Sequence, residues 1–147
     1  MSNITYRKAH TNETDHILEL MADIFTGEQG IPREDVIAFI DKYPVIWCAV
    51  KGSIICGAVA AWKENGETHW GRFVISADMR GKHIGTNLAK HSLEDIFKDG
   101  TEKIVIEARD STTKIIRSLG GIITGDPFTF YGSNVTPLVL YKENFKK

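Results

Sequence analysis

The stretch "GRFVISADMRGKHIGTNLAKHSLEDIF" (71–97) joins an apolar run to an amphipathic helix through the basic loop "RGKHIG" (80–85). The first N–H groups of a helix have no intrahelical acceptors, and the helix dipole adds partial positive charge there. Glycine lets an anion approach the backbone closely, and arginine can hold a phosphate through two hydrogen bonds. The stretch therefore predicts a strand, a diphosphate-binding loop and a helix.

Two other phosphate-binding motifs do not fit this loop. A P-loop needs Gly, four residues and then Gly-Lys-Ser/Thr, and a dinucleotide fingerprint needs Gly-x-Gly-x-x-Gly after an early strand. The six loop residues by themselves leave one alternative open, namely a basic loop at a helix start whose glycines serve only for turning.

Length and composition indicate one ordinary globular domain over residues 1–147, with 42% hydrophobic and 25% charged residues. The net charge of −1 argues against a nucleic-acid partner, which would require a broad basic face. The first residues, "MSNITYRKAH", contain no apolar signal region, and no run approaches the roughly 20 apolar residues of a membrane span. We therefore expect a cytoplasmic protein without a membrane partner.

The two cysteines, Cys48 and Cys56, flank the turn "KGS" symmetrically. They form no metal-ligand pattern, so we expect no metal. A tight hairpin would place them opposite each other, which keeps a redox pair as an alternative. Two buried hydrophobic side chains in a reducing compartment are the expected outcome.

Hydrophobic spacing predicts a mixed α/β domain with helices on both faces of its sheet. Asn65-Gly66 is the strongest hairpin signal, because a type I′ turn needs positive φ at both central residues. The predicted elements are a strand at 4–9, a helix from residue 11 that is broken by "GEQGIP" (27–32), a helix over 33–40, three meander strands within 45–76, a helix over 84–98, a strand at 103–108, a short helix near 115–119 and a final strand pair around a loop at 125–135.

The stretch 71–97 resembles the acyl-CoA-binding core of the GNAT N-acetyltransferase superfamily. The signature of that family is Arg/Gln-x-x-Gly-x-Gly/Ala between a strand and a helix. Arg80 and Gly85 match its first and last positions, whereas His83 occupies the place of the middle glycine. Within the superfamily, "IFTGEQGIP" (24–32) followed by Asp41 resembles the ElaA-like acetyltransferases.

The resemblance implies a GNAT-like α/β fold, with a mixed, mostly antiparallel sheet of six to seven strands and about four flanking helices. It also implies acetyl-CoA as the cosubstrate, with the diphosphate on the loop amides and the pantetheine arm along a strand that splays from its neighbour. The residues implied to bind the cofactor are Phe73, Val74, Ile75, Arg80, Gly81, Lys82, His83, Ile84, Gly85 and Thr86.

The reaction implied is direct attack of a primary amine, from a small molecule or a peptide, on the thioester in a ternary complex. A protonated amine needs a base or a water chain. The candidates are Glu28, in the segment expected to line the acceptor pocket, and Glu67 or His69, at the start of the strand that leads to the cofactor site. A solvated carboxylate and a packed imidazole are the respective structural alternatives.

The tyrosine that often protonates the leaving thiolate in this family is missing, since alignment on Gly120 puts Ile116 at its position. A thiol with a pKa of about 8.5 is a tolerable leaving group without full protonation. Tyr131 in the final loop, or Ser111, is a candidate replacement. A catalytically weak acyl-CoA-binding module with a sensing or regulatory role remains the alternative function, and an edge strand near the C-terminus makes a homodimer possible.

Overall fold

The computed structural model describes residues 3–146, whose strands and helices follow the predicted order. Within these residues the helices are too short or too polar to form a membrane span. The main elements are β1 (Ile4–Lys8), α1 (Thr14–Gln29), α2 (Arg33–Ile37), β2 (Val45–Lys51), β3 (Ile54–Glu64), β4 (Glu67–Ile75), α3 (Ile84–Lys98), β5 (Lys103–Arg109), α4 (Asp110–Ser118), β6 (Ile122–Ile123), β7 (Phe128–Phe130) and β8 (Ser133–Tyr141).

The strands form one sheet in the order β1-β2-β3-β4-β5-β8-β6, and β7 also pairs with β8. Strands β4 and β5 run parallel because α3 connects them as a crossover, and the other described pairs are antiparallel. The predicted mixed, mostly antiparallel fold is confirmed. Its eight strands exceed the predicted six to seven because the expected loop 125–135 contains the short β7–β8 hairpin.

Two apolar cores lie on opposite faces of the sheet. Helices α3 and α4 cover one face through residues such as Leu88, Leu93 and Ile116, all of which are fully buried. Helices α1 and α2 cover the other face, α1 through Ile17 and Met21 and α2 through Val36. Strands at the centre are therefore covered on both sides, as their apolar runs predict.

Two predicted breaks in regular structure are confirmed. Asn65 and Gly66 have φ values of 53° and 78°, which confirms the left-handed turn between β3 and β4. The predicted break of α1 within "GEQGIP" (27–32) is also confirmed, since the helix ends at Gln29. Gly30 ends it in the left-handed conformation, with φ 69°, where glycine lacks the steric cost of a Cβ atom.

The two cysteines are free and buried, as expected, but they do not lie opposite each other. An irregularity in the β2–β3 register near Ala49 and Val50 pairs Cys48 with Ala58 instead. A one-residue slip turns a side chain to the other face of a sheet. Cys48 accordingly packs under α1, and Cys56 belongs to the core under α3. Burial raises the pKa of both thiols.

Candidate active site

Strands β4 and β5 separate after a short paired region. Their parallel pairing covers only Thr68–Trp70 of β4 and Ile104–Ile106 of β5 among the described residues. Beyond that point β4 continues to Ile75 and β5 to Arg109, so a gap opens between their carboxyl ends. A gap of this kind leaves backbone groups at the edge of β4 free to pair with a ligand.

A bulge in β4 accompanies the separation. Ala58 pairs with Val74 and Ala60 pairs with Gly71, so two residues of β4 lie opposite Val59. One of these two residues, Arg72, has φ 57°, in the left-handed region. Bulges bend a strand and re-aim its side chains, and this one bends β4 where it leaves β5.

One cavity, of about 430 Å³, lies between the gap and the basic loop, and we call it the loop cavity. Nine of the ten predicted cofactor residues line it, whereas Lys82 is exposed outside it. Its described lining consists of Ile24, Glu28, Phe73, Val74, Ile75, Met79, Arg80, Gly81, His83, Ile84, Gly85, Thr86, Arg109, Ser111, Thr112 and Ile115.

The start of α3 in this cavity has the features of an anion site. Its first turn has neither a capping side chain nor an acidic residue, so its N–H groups face the cavity without a competing carboxylate. Gly81 and His83 both have positive φ, 77° and 62°, which explains why glycine is usual at the position of His83. A Cβ atom on Gly85 would lie 3.1 Å from Cζ of Phe73, so glycine allows the helix to approach β4.

Arg80 and Glu28 form a bidentate ion pair in the lining of the loop cavity. Nη1 and Nη2 of Arg80 donate to Oε1 and Oε2 of Glu28 at 3.0 and 2.9 Å, and Nε donates to the carbonyl of Ile75 at 3.0 Å. The hydrogen bonds from Arg80 lower the pKa of the Glu28 carboxyl group. The pair therefore joins the end of α1 to the basic loop and keeps the carboxylate ionised.

A second cavity, of about 300 Å³, lies beside the β7–β8 hairpin, and we call it the hairpin cavity. Phe73, Arg109 and Thr112 line both cavities and mark their junction at the gap. The described residues that line the hairpin cavity are Phe25, Gln29, Ile31, Asp35, Val36, Trp70, Gly71, Arg72, Phe73, Glu107, Ala108, Arg109, Thr112, Phe128, Phe130 and Val135.

Arg72 attaches α2 to the bulged strand. Its Nε donates to the carbonyl of Val36 at 2.9 Å and its Nη2 to the carbonyl of Asp35 at 3.2 Å. The guanidinium carbon also lies 5.4 Å from the ring centre of Phe39 and 5.7 Å from that of Trp62. Burial lowers the pKa of Arg72. Sequence reasoning missed this residue, because a bulge has no local signal in an otherwise regular strand pattern.

The three predicted catalytic residues lie in different places. Glu28 lines the loop cavity, but His69 and Tyr131 are not among the described residues that line either cavity. His69 stacks on Trp62 with ring centres 6.1 Å apart. The hydroxyl group of Tyr131, at the hairpin turn, donates to Oδ2 of Asp35 at 3.0 Å, and this bond raises the pKa of the tyrosine.

Sequence reasoning also missed Glu107, an exposed carboxylate in the hairpin cavity. A usable signal exists in "KIVIEAR" (103–109), where the buried residues alternate with the others. Alternation places Glu107 and Arg109 on one face of β5, the face opposite the buried Ile106 and Ala108. Ile116, at the usual position of the family's tyrosine, is fully buried.

A model of the acetyltransferase (GNAT) family matches residues 14–118, from the start of α1 to the end of α4. The chain belongs to this family, and the resemblance found in the sequence is confirmed. It is accordingly an acetyltransferase with acetyl-CoA as its donor. A comparison with curated proteins found no match.

Solved structures share the fold over nearly the whole chain, including the strands outside the family match. ElaA from Escherichia coli superposes with a TM-score of 0.79 at 16% identity, over 95% of this chain and 99% of that one. An acyl-CoA N-acyltransferase from Pseudomonas aeruginosa gives 0.77 at 14% identity, with the same coverages. The acetyltransferase yncA from Salmonella typhimurium, solved with acetyl-CoA, gives 0.73 at 15% identity, over 95% and 94%.

Proposed function

We propose that the chain transfers the acetyl group of acetyl-CoA to a primary amine of a small molecule or peptide, directly and within a ternary complex. The loop cavity takes the coenzyme and the hairpin cavity takes the amine. The observation that carries this proposal is the gap between β4 and β5, which joins the two cavities beside the uncapped start of α3.

The coenzyme diphosphate lies on the amides of residues 81–86 in this proposal, where the helix dipole and the missing acidic residue favour an anion. The pantetheine arm pairs with the free edge of β4 at residues 73–75. Lys82 and His83 add positive charge or a donor at the rim. The Salmonella relative that was solved with acetyl-CoA supports the choice of ligand.

Arg80 changes partner when the coenzyme binds. A diphosphate offers the guanidinium fork a more highly charged partner than a carboxylate does. Transfer of Arg80 to the diphosphate releases Glu28, whose pKa then rises from its lowered value. Glu28 becomes a free carboxylate in the loop cavity, where it can accept a proton from the amine.

In the chemical step the neutral amine nitrogen attacks the thioester carbon, and a backbone N–H near Val74, on the free edge of β4, donates to the carbonyl oxygen as negative charge develops. The carbon–sulfur bond then breaks, and the sulfur leaves as thiolate with the electron pair. The proton lost by nitrogen passes to Glu28. A thiol pKa of about 8.5 permits this departure without an acid at Ile116. Proton transfer by His69 or Tyr131 stays a prediction.

Titration calorimetry with acetyl-CoA tests the loop cavity. We expect Arg80→Ala to weaken acetyl-CoA binding about 10- to 100-fold through loss of charge-assisted hydrogen bonds. We expect Gly85→Glu to abolish binding, because it places a carboxylate in the loop cavity at the start of α3. Arg117→Ala, an exposed position on α4, is the matched control and should bind normally. Binding unaffected by both site variants would refute the proposed coenzyme site.

A further inference from the structure

We propose that the acceptor is a free α-amino acid with an apolar side chain, whose carboxylate is bound by Arg109 and whose amine lies beside Glu28. This inference rests on the proposed function and names the substrate class of the same site. The residues that carry it lie at the junction of the two cavities.

Arg109 is a partly buried cation without an anionic partner. Among residues 3–146, no carboxylate oxygen lies within 4.0 Å of its guanidinium nitrogens. The side-chain amide of Gln29, turned so that its oxygen faces Arg109, lies 3.1 Å from Nη1 and Nη2 and 3.2 Å from Nε. The Phe25 ring centre lies 6.0 Å from the guanidinium carbon. Both neighbours are uncharged.

A guanidinium withdrawn from water is costly unless an anion compensates it. Burial lowers the pKa of Arg109, which reflects that cost. The nearby carboxylate of Glu28 already pairs with Arg80 through both of its oxygens. Arg109 thus lines both cavities, and the acceptor that its guanidinium group meets is the uncharged amide oxygen of Gln29.

The junction complements a zwitterion once the coenzyme draws Arg80 away. Glu28 and Arg109 line the same loop cavity, yet in the described part of the chain they make no ion pair with each other. A released Glu28 carboxylate beside Arg109 presents one negative and one positive group. In an α-amino acid a single carbon separates the amine from the carboxylate. At the junction, Glu28 therefore faces the amine and Arg109 faces the carboxylate, beside the expected position of the thioester.

The apolar part of the hairpin cavity suits an apolar side chain, whereas Asp35, Arg72 and Glu107 line the remainder. Phe25, Ile31, Phe128, Phe130 and Val135 contribute to its walls. A volume of about 300 Å³ is at the small end of ligand pockets. A peptide N-terminus is a poorer match, because its α-carboxylate is replaced by an uncharged amide that leaves Arg109 without an anion.

The test uses the purified full chain with acetyl-CoA and follows thiol release. Each L-amino acid is compared with its amide and with the amine that lacks the carboxylate, for example leucine with leucinamide and isoamylamine. We expect at least one free apolar amino acid to exceed both analogues at least tenfold in kcat/KM. The proposal would be overturned if, for every amino acid tested, the amide or the amine analogue had an equal or higher kcat/KM than the amino acid.

Variants of Arg109 test whether this residue binds the carboxylate of the amino acid. Arg109→Gln should raise the KM for the amino acid at least tenfold and leave the Kd for acetyl-CoA unchanged, and Arg109→Lys should restore part of the loss. Arg117→Gln on α4 is the matched control, and thermal unfolding verifies that each variant folds. A change in the Kd for acetyl-CoA alone would assign Arg109 to the coenzyme and overturn the proposal.

Calorimetry with amino acid added to the CoA-bound protein separates this inference from the proposed function. Saturable binding of a free amino acid that is lost in Arg109→Gln supports the inference even if no acetyl transfer occurs. Failure of acetyl-CoA to bind contradicts the proposed function. Acetyl transfer to amines without any preference for a carboxylate contradicts the inference alone.

Discussion

At the scale of single residues, the loop cavity contains charges that are already paired within the protein. Arg80 has the place and chemistry of a phosphate ligand, yet it holds the Glu28 carboxylate through two hydrogen bonds. Under the proposed function, Glu28 therefore competes with the coenzyme for the same guanidinium. Both side chains are almost half exposed, so the pair is worth no more than about 1 kcal/mol.

Removal of the Glu28 carboxylate should strengthen the binding of acetyl-CoA, and it should also slow acetyl transfer. We expect Glu28→Gln to lower the Kd for acetyl-CoA about two- to fivefold, because Arg80 no longer has to leave an ion pair. The same variant should lower kcat, because it cannot accept the amine proton. Calorimetry and thiol release measure the two effects, and Glu94→Gln, which removes a carboxylate paired with Lys98 on α3, is the control. Weaker acetyl-CoA binding would show that Glu28 does not compete for Arg80.

At the scale of elements, a short polar cluster connects β1 to the start of α1. Glu13 accepts two hydrogen bonds from Arg7 at 2.9 Å and one from the backbone N–H of His10 at 2.7 Å. The Arg7 hydrogen bonds, above all, lower the pKa of Glu13 to about 2. The carboxylate thus fixes the direction in which the chain leaves the strand and enters the helix.

This cluster predicts an acid-sensitive contribution to stability. The folded pKa of Glu13 lies below its ordinary value of 4.5, so the contribution is present above pH 4.5 and disappears as the pH falls toward 2. After allowance for solvent screening we expect Glu13→Gln to cost about 1–2 kcal/mol at pH 7 and little near pH 2. Urea unfolding at both pH values measures this. An equal loss at both would mean that the carboxylate charge is not responsible.

At the scale of the whole molecule, the two layers of helices meet at the gap in the sheet. Helix α3 provides the anion site on one side, whereas α1 and α2 border the hairpin cavity on the other. Arg72 is the side chain that holds α2 against the bulged strand. Tyr131 adds a contact from the β7–β8 turn to Asp35, which lines the hairpin cavity.

Loss of the hydrogen bonds that Arg72 makes to α2 should weaken binding of the amine and leave binding of acetyl-CoA unchanged. Arg72→Met keeps much of the side-chain volume but leaves the carbonyls of Val36 and Asp35 without their donor, at a cost of about 1–3 kcal/mol in the free energy of unfolding. We expect a raised KM for the amine and an unchanged Kd for acetyl-CoA. Steady-state kinetics, calorimetry and urea unfolding test this. Arg33→Met is the control, because it lies on α2 as well and removes only an exposed ion pair with Glu19 of α1. A parallel loss of acetyl-CoA affinity would indicate that Arg72 supports the whole gap.

Local signals predicted most of this architecture. Hydrophobic periodicity located the helices and the central strands, and Asn65-Gly66 marked its turn correctly. The errors share one cause, since each depends on a contact or register that short-range patterns do not contain. The bulge at Arg72, the slip that separates Cys48 from Cys56, and the β7–β8 hairpin are of this kind.

The sequence by itself determined the basic loop 80–85 that is proposed to bind the coenzyme, because a strand, a glycine-bearing basic loop and a helix start are consecutive along the chain and their chemistry is local. Only the tertiary structure decided what those groups contact. It paired Arg80 with Glu28, 52 residues away, and among residues 3–146 it placed no carboxylate against Arg109 at the junction of the two cavities. These relations depend on how distant segments pack around the gap between β4 and β5, and such packing is a property of the folded chain as a whole.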